Sequence, residues 1–188
     1  MKRLIYCIIA LLGFTACGTA IKVTSENATV NNFTFNDGTV TWSKVYPINP
    51  ADSAAVRDWF ASNFTITRNG EKTIFGEMPK NALPVKESGQ DRMQVMMLLS
   101  HACVVYFTAD FKDNRYRVVV NRIIWYPQMA LTVYGVSQGV GAMDLNEVAL
   151  KNGGYSSAFY RTTSKQVDLC LDYLFTAKLN SVAQNDVW

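Results

Sequence analysis

The chain has 188 residues and a formal net charge of +3, with 49% hydrophobic, 12% aromatic and 18% charged residues. That length and apolar content suit one folded domain with a real core and exclude a disordered chain. Two of the cations, Lys2 and Arg3, fall in an N-terminal leader, so the remainder is close to neutral and lacks the electrostatic footprint of a nucleic-acid binder.

The leader has three parts: the positive start, an apolar run from Leu4 to Phe14, and small residues before Cys17. The run is too short to span a bilayer, which takes about 20 residues. A short hydrophobic anchor or a buried first strand are the other readings of such a run, and its charge, length and position argue against both. Phe14-Thr15-Ala16-Cys17 resembles the lipobox of bacterial lipoproteins, with Phe14 where a leucine is usual. The resemblance implies a signal peptide over 1–16, a diacylglycerol on Cys17 and a third acyl chain, such as palmitate, on its new amino group. More than one chain is what stable anchoring needs. The alternative is an ordinary secretory signal cut near Ala20. Gly18 stands where an aspartate would imply inner-membrane retention, and Gly18 to Ser25 lacks an early acidic cluster. Both imply the outer membrane, on its periplasmic face.

From Gly18 to Asn36 the chain is rich in Thr, Asn and Ser without a sustained period, so 17–36 is expected to be a lipidated cysteine and polar tether, ending in a short strand around Phe33 and Phe35. A single domain is expected over 37–180. Asn36-Asp37-Gly38 signals a turn, and Thr39 to Tyr46 alternates as a half-buried strand does. Asn49-Pro50-Ala51-Asp52 is a helix start, followed by an apolar face of Ala55, Val56, Trp59 and Phe60. Phe64 to Arg68 and Lys72 to Met78 read as a hairpin about Asn69-Gly70. Pro79 to Gln90 reads as an exposed loop. Met93 to Leu99 is ambiguous between helix and strand. Cys103 to Asp110 and Arg115 to Ile123 form a second hairpin, with Tyr116, Val118 and Val120 on one face and Arg115 and Arg117 on the other. An insertion is expected near 127–161, with a short helix after Asp144. The last helix is expected to start on a Thr163/Gln166 capping box and bury Val167, Cys170, Leu171, Leu174 and Phe175.

The order β-α-β-β-β-β-α, with hairpins between the later strands, predicts an α+β domain of two layers, a mainly antiparallel sheet with two helices packed on one face. Gly38 to Trp42, the helix from Ser53 to Phe60, and the hairpin from Tyr106 to Arg117 are similar to the bacterial domain-of-unknown-function family 4468. The resemblance covers roughly Asp37 to Trp125 and implies a TBP-like fold in an exported protein. It supplies no activity and no catalytic residue.

Catalytic signals are few. His101 is the sole histidine, no serine sits in a nucleophile elbow, and the Gly135–Gly141 stretch fits no phosphate loop. No enzyme, metal or cofactor is therefore expected. An oxidising compartment permits a bridge between Cys103 and Cys170, although their apolar surroundings equally suit buried thiols. Trp42, Trp59, Phe60, Phe107 and Trp125 are expected to fill the core or to line a pocket for a small apolar ligand. Trp125, Tyr126 and the insertion could instead form a protein-contact surface. Asp52-Ser53-Ala54 resembles an O-glycosylation sequon of some gut bacteria, which would put a glycan on Ser53. The leading expectation is a non-enzymatic interaction domain in the cell envelope, held to the membrane through Cys17, with an envelope protein as partner. Alternatives are a carrier or sensor of a small apolar ligand and an enzyme of unrecognised type.

Overall fold

The computed structural model describes residues 20–91, 97–127, 130–133, 136–139 and 141–179. The leader and Cys17 lie outside them.

Two long hairpin strands form the centre, β7 (Ala102–Lys112) and β8 (Arg115–Trp125). On one flank lie β6 (Thr73–Ala82) and β5 (Thr65–Asn69); on the other lie β4 (Thr39–Pro47), β3 (Phe33–Asn36) and β2 (Thr29–Val30). The strand order is β2-β3-β4-β8-β7-β6-β5, every neighbour is antiparallel, and β11 (Met143–Asp144) also pairs with β8. Helix α1 (Ser53–Asn63) carries the chain from β4 to the far edge at β5, and α3 (Ser164–Phe175) closes the fold. The expected β-α-β-β-β-β-α core is therefore β4-α1-β5-β6-β7-β8-α3, an α+β two-layer arrangement with both helices on one face of an antiparallel sheet.

The period-2 pattern decides which face is covered. Along β7, Cys103, Val105, Phe107, Ala109 and Phe111 are buried, and along β8, Tyr116, Val118 and Val120 are buried. Asn121 is an extra residue opposite Tyr106–Phe107, a bulge that resets the alternation so that Ile123 and Trp125 turn inward. From the helices come Val56 and Phe60 of α1 and Val167, Cys170, Leu171 and Phe175 of α3. Ala55 is exposed and Trp59 half-buried, so the apolar face of α1 is narrower than its sequence suggests. Asn49 caps the 3₁₀ turn Pro50–Asp52 through a bond from Ala51 N, as expected of that position.

Three expectations are corrected. Residues 20–36 are not a free tether. Ala20 and Ile21 form β1, which pairs with β13 (Gly154–Ser156), and β2–β3 extends the main sheet with Phe33 fully buried. The turn between β2 and β3 is Asn31-Asn32, both with positive φ (46° and 64°), which is the geometry a two-residue hairpin requires. Second, Pro79 to Gln90 is not simply an exposed loop. β6 runs on through a bulge to Ala82, and Leu83 and Val85 are 4% and 6% exposed. Third, Thr163 makes no capping bond, because a π turn (Phe159–Thr163) already leads into α3, and the Ser156 hydroxyl accepts from Phe159 N at its start. The stretch expected as an insertion also adds to the core. It holds α2 (Leu145–Ala149), β12 (Leu150–Lys151) and β13, and buries Leu145, Ala149, Tyr155 and Phe159. The Asp144–Glu147 capping box that opens α2 is present, as expected.

Candidate functional site

Of the five aromatics singled out above, Trp42, Phe60, Phe107 and Trp125 are core residues, each 3% exposed or less. Trp42, Phe60 and Phe107 pack ring on ring. Phe60 lies 5.6 Å from Phe107 and 5.7 Å from Tyr116, Phe107 lies 5.0 Å from Phe175, and Trp42 stacks on Phe175 at 5.9 Å. Such spacing is ring contact and leaves no ligand space between these side chains. Trp59 flanks the cluster through Phe64 at 5.6 Å. Trp125 is fully buried, so it offers no surface to a partner.

Polar bonds pin this layer. The Trp42 indole N–H donates to Asp168 Oδ1 at 2.7 Å, and Asn32 donates to the same oxygen at 2.9 Å. Asn31 donates to the Ser164 hydroxyl, so the left-handed turn is stapled to α3. Lys44 pairs with Asp172 at 2.7 Å. The Tyr116 hydroxyl donates to Phe175 O at 2.7 Å and accepts from Ala177 N, holding the end of α3. Burial pushes Tyr116 up to about 12. The neighbouring Tyr46 hydroxyl is buried beside Asp172; burial and then the charge of Asp172 raise its ionisation above the ordinary range.

Cys103 and Cys170 are both buried free thiols in this structure, the second of the two arrangements that their apolar surroundings suit. Burial, with the second thiol nearby, pushes Cys103 up to about 12. Burial also raises Cys170, whose sulfur is held by Gln90 Nε2 at 3.2 Å and Ser88 at 3.6 Å. These are packing thiols, since a reactive cysteine needs a stabilised thiolate. His101 Nε2 is buried without a hydrogen-bond partner. Ser53 opens α1 and is half-buried. Among the described residues no group of three His, Cys, Asp or Glu side chains is placed to hold a metal ion, and no helix is long and apolar enough to cross a membrane.

Among the described residues no helix packs on the opposite face of the sheet. A concavity of about 690 Å³ lies at its β7–β8 turn end, lined by Val45, Lys72, Thr73, Asp110, Phe111, Lys112, Asp113, Arg115 and Arg117. Register explains the grouping. Val45, Arg117, Asp110 and Thr73 occupy one row across β4, β8, β7 and β6. Arg117 donates to Asp110 Oδ2 at 2.7 Å and Thr73 to Oδ1 at 3.0 Å, which satisfies that carboxylate. One row nearer the turn, Lys112 and Arg115 stand directly opposite each other. Val45 is 51% exposed at the hollow's edge. Strand alternation alone puts Arg115 and Arg117 on the face opposite Tyr116, Val118 and Val120. No such local pattern joins them to Lys72, which the β6–β7 pairing brings close.

The fold and this site together define an α+β domain with one sealed and one open sheet face. Solved structures similar to it include a TBP-like protein from Parabacteroides distasonis (17% identity, TM-score 0.42, covering 75% of this chain and 86% of that one). Another is a DUF4468 family protein from Bacteroides ovatus (13% identity, TM-score 0.45, covering 85% of this chain and 99% of that one). Both descriptions are those the sequence resemblance led to; the likeness concerns fold alone, and no residue's role is carried across. No family model and no curated protein matches the chain.

Proposed function

We propose that this chain is a lipid-anchored bacterial envelope protein, held at the outer membrane through Cys17, whose domain is a non-enzymatic binding module. The supporting observation is the asymmetry of the sheet. One face is sealed by rings and helices, while the other is solvent-facing and carries a charged hollow of about 690 Å³. The lipobox-like Phe14 to Cys17 supports the address. Binding on the open face is the use that this asymmetry favours, because exposed polar and charged side chains on a rigid sheet are preorganised for contact.

Site-specific photo-crosslinking in cells tests the reading. A photoreactive residue replacing Thr108, on the open face, should give discrete adducts. One replacing Lys165, exposed on α3, should not. Adducts at Lys165 alone would refute the assignment of the face. Loss of radiolabelled acyl incorporation in Cys17→Ser is the expected result for the anchor, and incorporation that persists would overturn it.

A further inference from the structure

The hairpin between β7 and β8 breaks a sheet rule. Lys112 and Arg115 are directly opposed across the strands, where like charges destabilise. Lys72 joins them in the same hollow. None of the three makes an ion pair or side-chain hydrogen bond among the described residues, whereas Arg117 is already taken by Asp110. Set against Asp113, the three cations leave two uncompensated positive charges around one concavity. A side chain that costs stability where it stands, with no internal partner, is placed for something outside the chain.

We propose that this hollow binds a phosphate monoester, with Arg115, Lys112 and Lys72 as its ligands. The charge fits, because a phosphate monoester carries close to two negative charges at neutral pH and a lone carboxylate only one. The shape of Arg115 fits as well, since a guanidinium meets two phosphate oxygens at once and an ammonium meets one. Val45 gives an apolar edge for the esterified group. This site rests on the open face being the binding surface and names what it binds.

The test uses residues 17–188 carrying Cys17→Ser, so that neither the apolar leader nor an acyl group adds membrane affinity. Inorganic phosphate and glycerol phosphate are titrated by calorimetry and amide NMR, and phosphatidylcholine vesicles with and without phosphatidic acid are tested by sedimentation. Both small anions should bind. Lys112→Gln and Arg115→Gln should each weaken them about tenfold, and Asp113→Asn should tighten them. Binding should weaken as the pH falls through about 6, where the ester loses its second charge. Lys112→Glu is the folding control: it should abolish binding while the domain gains stability. Sedimentation only with phosphatidic acid, displaced by glycerol phosphate, would make a lipid headgroup the source of the same chemistry. Unchanged affinity in both glutamine variants would overturn the proposal. Shifts confined to Tyr106 and Arg122 would overturn it while leaving the open face as the binding surface, and shifts confined to the helices would overturn both.

Discussion

β7 and β8 are eleven-residue strands with two unlike faces. On the helix side of β7 every second side chain is 7% exposed or less, and an aromatic cluster locks it. On the other side, Thr108, Asp110 and Lys112 meet solvent, and a like-charge pair stands unrelieved at the turn. The sealed face is organised for stability throughout. The open face tolerates a local cost, and that is where binding chemistry is to be sought.

The largest perturbation of this contrast is Phe60→Ala. Phe60 touches Phe64, Phe107, Phe111, Tyr116 and Phe175, so the cavity should cost about 3–5 kcal/mol in urea unfolding. Alkali should come next. The folded-state values of Cys103, Tyr116 and Tyr155 all stand near 12, above their ordinary 9 to 10, because burial disfavours the anions. Raised values mean that the stability these groups contribute is complete below pH 9 and is lost as the pH climbs from about 9 towards 12. Each group subtracts about 1.4 kcal/mol per pH unit within its window. Unfolding midpoints taken from pH 8 to 11 should fall accordingly; a flat profile would show these groups less buried than the structure has them. Asp168→Ala removes the acceptor of both Trp42 and Asn32 and should cost about 1–3 kcal/mol. The smallest effect has the opposite sign. Lys112→Glu turns the opposed cations into a cross-strand ion pair and should stabilise by about 0.2–1 kcal/mol, measured by the same unfolding.

Periodicity made the sealed face legible. Trp42, Phe107, Tyr116 and Phe175 all fall where alternation or helical spacing puts them. Polar composition hid the first strands. Thr, Asn and Ser over 18–36 read as a tether, yet Asn31-Asn32 is a pair suited to left-handed φ, and a hairpin could have been sought there. Pro79 and Pro84 suggested a loop, whereas Pro79 sits at the bulge of β6, a position that tolerates a missing N–H. The Thr163/Gln166 pattern failed because a preceding π turn moved the helix start back to Ser156. The hollow was half legible. Arg115 and Arg117 were on the right face, but the place of Lys72 depends on pairing between β6 and β7, which no local pattern encodes.

The pairing of Ala20 with Ser156 bears on posture. With the acyl chains on Cys17, only Gly18 and Thr19 would separate the anchor from the first sheet residue, a span of about 10 Å at full extension. The domain's footing would then lie within that distance of the membrane. The small sheet that takes this footing is followed back through α2 to the Val40 end of β4, where Asn146 accepts from Val40 N. The hollow lies at the Pro47 end, beside Arg115. An anchor at Cys17 would thus put the membrane at one end of β4 and the cationic hollow at the other.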